Sequence, residues 1–109
     1  MINNNGTGSS LRYWYGASID NFLATDPDAI FGQLAANCDF NLMPTQRDAW
    51  LTEIDLLRFQ LRGIAGSIFF EFNIPRMGRR VDVILLVGTV VFSIEFKVGE
   101  KAFDRYAID

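Results

Sequence analysis

At 109 residues, half of them hydrophobic and ten of them Phe, the chain supports one small domain burying roughly 60% of its unfolded surface or a little more, and it is too apolar for disorder. It carries a net charge of −3, no histidine and a single cysteine, Cys38, which excludes histidine-based catalysis, typical zinc sites and an internal disulfide, and fits a reducing cytoplasm. The longest apolar run, "VILLVG", is strand-sized rather than membrane-spanning, and no charged leader precedes an apolar core, so neither a membrane span nor a secretory signal is expected.

Residues 1–10 are Asn, Gly and Ser with almost nothing to bury, and read as a tail preceding a single domain over 11–109. "SIDNFLATDP" is a short helix capped by Ser18. Asp26 followed by Pro27 starts a second helix, with Ile30, Phe31 and Leu34 at helical spacing and an end near Cys38 to Phe40. "PTQRDAWLTEIDLLRFQLRG" is the clearest helix. Thr45 with Asp48 three positions on suggests an acidic capping box, and Gly63 a stop. Trp50, Ile54, Leu57 and Leu61 form its apolar stripe, flanked by Leu51 and Leu56, with Phe59 opposite. At about 100° per residue, Glu53 falls at the edge of that stripe, where it either reaches over the sheet or turns to solvent.

Three strands follow, over 67–75, 80–88 and 90–98, as an antiparallel meander. The first puts Ile68, Phe70, Phe72 and Ile74 on one face and Phe69, Glu71 and Asn73 on the other. Gly88-Thr89 is a two-residue Gly-X turn, which pairs Val87 with Val90, Leu85 with Phe92, Val83 with Ile94 and Val81 with Phe96 on an apolar face. The opposite face pairs Leu86 with Val91, Ile84 with Ser93, Asp82 with Glu95 and Arg80 with Lys97. Two carboxylates across a ladder destabilise it unless a cation lies between them. Asp82 and Glu95, one step from Lys97, therefore mark a candidate site for a divalent metal, Mg²⁺ or Mn²⁺. Glu71 joins them if the strands share faces, as a ligand or water-holder; otherwise it is a polar residue on a half-exposed strand.

Charge is unevenly placed. Residues 1–60 carry three basic groups against seven acidic ones, and residues 61–109 seven against six. Neutralising Glu71, Asp82 and Glu95 with a metal leaves Arg76, Arg79, Arg80, Lys97 and Lys101 free to face a phosphate backbone, although Arg76 and Lys101 read equally well as solvated charges.

Asp82, twelve intervening residues, then Glu95-Phe96-Lys97 resembles the PD-(D/E)xK nuclease superfamily. With "WYGASIDNFL", "PTQRDAWLTEI" and "FFEFNIPRMGRRVDVILLVGTVVFSIEFKVGEKAFDRYAID", the chain from about Leu11 is similar to the N-terminal nuclease-like region of bacterial proteins that continue into a Schlafen-type P-loop helicase domain. The resemblance implies an α+β, restriction-endonuclease-like core in which helices pack on the meander, and metal-dependent hydrolysis of DNA or RNA phosphodiesters. It assigns Asp82, Glu95 and the Phe96 carbonyl as metal ligands, Lys97 as the residue that orients the attacking water or offsets charge on the phosphate, and Glu53 as an acid assisting from the first core helix. The closing "EKAFDRYAID" starts a second core helix with Phe103, Tyr106 and Ala107 on one side. Relative to that family the core is truncated at Asp109, which implies an open strand edge, a homo-oligomer and, in a longer protein, a C-terminal helicase domain. The alternative is a non-catalytic nucleic-acid-binding or interaction module on the same fold.

Overall fold

Apolar residues recur at helical spacing in the first half of the chain and alternate in the second, and each half folds accordingly. The computed structural model describes residues 11–96; the expected tail over 1–10, the closing helix, Lys97 and Lys101 lie outside the described residues. In chain order the elements are β1 (Tyr15–Ser18), α1 (Ile19–Ala24), α2 (Pro27–Asn37), α3 (Pro44–Gln60), β2 (Ser67–Ile74), a 3-10 turn (Pro75–Met77), β3 (Arg79–Val87) and β4 (Val90–Ile94). The domain is α+β, its helices packed against one four-stranded antiparallel sheet of order β1-β2-β3-β4. Among the described residues no helix is long and apolar enough to cross a membrane.

The first two helices begin where their caps dictate. Ser18 Oγ accepts from the Asn21 N–H at 3.1 Å, and Asp26 Oδ1 accepts from the Asp28 N–H at 2.8 Å with Pro27 in the first turn. α3 departs from expectation at both ends. Its N-cap is Met43, with Pro44 rather than Thr45 opening the helix and no side-chain capping bond, because proline's fixed φ and missing N–H suit the first helical position. Its C-cap is Leu61, two residues before Gly63, which takes φ +79° in the following turn. The stripe is as read: Trp50, Ile54, Leu57 and Leu61 are buried. They meet Ile19 and Phe22 of α1, Ile30 and Leu34 of α2, and Ile68, Phe70, Val83 and Leu85 from the sheet in one core. Leu56 and Phe59 stand out in solvent, so α3 is covered on one side only.

The hairpin register follows the turn. Val87 pairs with Val90, Leu85 with Phe92 and Val83 with Ile94, and Gly88 alone of the two turn residues has positive φ (+60°), as a type II′ turn requires.

Three expectations for the sheet are corrected. The sheet has four strands rather than three: β1 pairs Tyr15 with Phe70 and Ala17 with Ile68. Its four residues run directly into the Ser18 cap, too short for alternation to be read. The β3–β4 ladder stops at Val83–Ile94 instead of continuing through Asp82–Glu95. Beyond that pair the Phe96 N–H is donated to Asp82 Oδ2 at 2.8 Å, a side-chain bond that competes with the ladder. Finally, Phe72 does not share a face with Phe70. Its ring lies 5.8 Å from that of Phe69, three residues away, and both contact Tyr13. The alternation slips between them at Glu71, whose φ is +55°.

Candidate functional site

The slip at Glu71 builds the candidate site. A strictly alternating strand carries the Glu71 side chain on the Phe69 face, away from the helices. In the left-handed conformation its carboxylate meets α3 instead, where Glu71 Oε2 accepts from the Trp50 indole N–H at 3.1 Å. Arg80 on β3 donates to the Glu71 carbonyl at 2.9 Å while its guanidinium lies 4.5 Å from the centre of the Trp14 ring. Side chain and main chain of Glu71 are thus each held by a hydrogen bond.

One helical turn beyond Trp50, Glu53 comes off the same side of α3. It is 4% exposed, and its Oε1 is buried with no hydrogen-bond partner. An unpaired buried carboxylate resists ionisation. Glu53 is pushed up to about 8, first by burial, then by the charge of Asp82, then by that of Glu71. Glu71 is pushed up to about 6: burial dominates, the Trp50 hydrogen bond opposes it, Asp82 raises it, Arg80 lowers it and Glu95 adds the smallest contribution. Glu53, Glu71 and Asp82 therefore form one electrostatically coupled set where α3 crosses β2 and β3.

The other predicted residues are placed differently. Glu95 forms an exposed ion pair with Arg79, both guanidinium nitrogens meeting Glu95 Oε2 at 2.9–3.0 Å. Such a pair is worth at most about 1 kcal/mol and opens readily. Arg79 and Arg80, both expected to face phosphate, have partners within the fold, whereas Arg76 is exposed on the 3-10 turn. Phe96 takes part through its N–H. Among the described residues no group of three or more His, Cys, Asp or Glu side chains forms a metal cage.

Carboxylate oxygens are the donor type that a hard cation takes. Glu71, Asp82 and the orphaned Glu53 are all-oxygen donors, and Mg²⁺ accepts one or two carboxylates while keeping several waters. Sequence reasoning missed Trp50 as a functional residue because it reads as core. Its place three residues before Glu53 was the available signal, since residues at i and i+3 share a helix face. No known protein family, curated protein or solved structure matches the chain.

Proposed function

We propose that this chain is a metal-dependent nuclease-like domain with a restriction-endonuclease-like core, hydrolysing nucleic-acid phosphodiesters with Mg²⁺ or Mn²⁺ at the α3–β2–β3 crossing. The observation that supports the reading is the set of Glu53, Glu71 and Asp82, in which the buried Glu53 and half-buried Glu71 carboxyls resist ionisation, first through burial and then through the charge of Asp82. In this reading Asp82 and Glu71 donate oxygens, and Glu53 serves as a proton-bearing or water-holding group. Glu95 joins by releasing Arg79, which is then free for phosphate. A divalent ion bound there supplies Lewis-acid polarisation of the phosphate and a water of lowered pKa. The resemblance assigns the Phe96 carbonyl as a further ligand and Lys97 to the water and transition state, while the basic excess of the second half of the chain points to Arg76, Arg80 and Lys101 for the backbone. The resemblance also implies a helicase partner domain, and the lone Cys38 fits a reducing cytoplasm.

One observation favours the non-catalytic alternative: Glu95 and Asp82 both have intraprotein partners, Arg79 and the Phe96 N–H. Titration calorimetry with Mn²⁺ on the wild type and Asp82→Ala, with cleavage of labelled DNA and RNA in Mg²⁺, separates the two. The nuclease reading expects Mn²⁺ binding lost in Asp82→Ala and cleavage lost in Lys97→Ala. Equal Mn²⁺ binding by both proteins, with nucleic acid bound but uncut, establishes the module instead.

A further inference from the structure

The outer flank of α3 carries a second feature, composed of residues that play no part in the acidic set. Leu23, Arg58, Phe59 and Arg62 line a recess of about 310 Å³, at the lower end of the roughly 300–1,000 Å³ typical of small-molecule sites. Phe59 is 63% exposed, although a ring of that size on a core-packed helix is normally turned inward. Arg62 lies over it, its guanidinium carbon 4.7 Å from the ring centre, with Nε donating to the Phe59 carbonyl. Arg58 is fixed against the end of α1, where Nη1 donates to the Phe22 and Thr25 carbonyls at 3.3 and 2.5 Å.

Among the described residues neither arginine has a carboxylate within ion-pair distance, although Asp55 lies one turn before Arg58 on α3. The two guanidiniums meet, among the described residues, backbone carbonyls and a ring face rather than a carboxylate. The recess thus combines an exposed aromatic ring, with a cation 4.7 Å from its centre, and two guanidiniums that have no carboxylate at ion-pair distance among the described residues. An aromatic face takes a nucleobase by stacking, and neighbouring arginines take the phosphates on either side of it. A duplex offers no unstacked base for Phe59, and an acidic peptide without aromatic residues offers no planar ring.

We propose that this recess binds one nucleotide of a single-stranded nucleic acid, with the base on Phe59 and its phosphate at Arg62 and Arg58. The proposal is independent of the metal-centred reading, because it uses no residue of that site and needs no cation.

Fluorescence anisotropy with a short fluorescein-labelled oligothymidylate, in EDTA, tests it. The wild type binds. Phe59→Ala weakens binding by about tenfold, the size expected for losing one base–aromatic stack, and Phe59→Trp preserves it. Arg62→Gln lowers the slope of log affinity against log salt by about 0.7, the loss of one single-strand phosphate contact. Both positions are solvent-exposed, so the variants fold. No binding by the wild type, equal binding by the wild type and Phe59→Ala, or equal competition by duplex or polyglutamate overturns the proposal. Cleavage measured separately in Mg²⁺ reports on the metal site alone, so failure of either reading leaves the other standing.

Discussion

The perturbation that interrogates the acidic set most directly is Glu53→Gln, which keeps shape and hydrogen-bonding capacity while removing the ionisable group. With its carboxyl raised from 4.5 to about 8, native Glu53 holds a proton that the unfolded chain releases. Below pH 4.5 both states are protonated and there is no penalty. Between pH 4.5 and about 8 the unfolded state binds fewer protons, so stability falls with rising pH by about 1.4 kcal/mol per pH unit. Above about 8 the loss levels off. At pH 7 the penalty is on the order of 3 kcal/mol, a large fraction of the roughly 5–15 kcal/mol that holds a domain together. Glu71, raised to about 6, contributes with the same sign over a narrower window between pH 4.5 and 6.

Thermal melts and urea titrations in EDTA from pH 5 to 8 read this directly, and the difference between wild type and variant isolates Glu53 from other titrating groups. The two proteins should nearly coincide at pH 5. At pH 8 Glu53→Gln should be more stable by about 4 kcal/mol, a melting shift of well over roughly 10 °C for a domain of this size. Superimposable curves at pH 8, or a difference that does not change with pH, would refute the assignment of a buried, unpaired Glu53.

Two further outcomes follow from the same geometry. Trp50→Phe removes the indole donor to Glu71 and should destabilise the fold by about 1–3 kcal/mol for the unmet carboxylate, while NMR titration shows Glu71 moving above about 6; an unchanged Glu71 titration would remove Trp50 from the site. Gly66→Ala should cost several times the roughly 1 kcal/mol expected of Gly63→Ala in urea unfolding, because a Cβ at Gly66 falls 2.1 Å from the Leu86 carbonyl oxygen while Gly63 has open space around it; equal losses would show that the β2–β3 approach is looser than described.

Much of this architecture is legible in the residues. The Ser18 and Asp26 caps, the Trp50–Leu61 stripe, the three long strands and the Gly88-Thr89 register all follow from local chemistry: side-chain oxygens at helix starts, period 3.6 or 2, and a glycine where a two-residue turn needs positive φ. Glu53 is legible as a boundary position, though the stripe alone leaves it equally free to point outward. β1 is not legible, because four residues between Trp14 and a helix cap carry no periodicity of their own; pairing to β2 defines them. The Asp82–Glu95 pairing follows from extrapolating a register that holds as far as Val83–Ile94. It stops there because Asp82 captures the Phe96 N–H and Arg79 draws Glu95, and no count of residues along a strand encodes either event.

The least legible feature is also the one on which the site depends. Alternation along "SIFFEFNIP" places Glu71 with Phe69 on the outer face, and every residue type in that run is compatible with an unbroken strand. The left-handed backbone at Glu71 costs about 1–2 kcal/mol for a residue with a Cβ, so something must hold it there. The Trp50 indole on its carboxylate and the Arg80 guanidinium on its carbonyl do so, and Phe72 gains the Phe69–Tyr13 ring cluster as the chain resumes on the other face. The result gathers a strained backbone, a carboxyl raised by burial and an orphaned Glu53 oxygen at a single crossing of helix and sheet. A fold selected for stability alone has no reason to concentrate three unfavourable features within a few residues. Local rules break in this way at functional or strained sites, and in the proposed nuclease reading a hard cation would offset the charge of Asp82 on the raised Glu53 and Glu71 carboxyls.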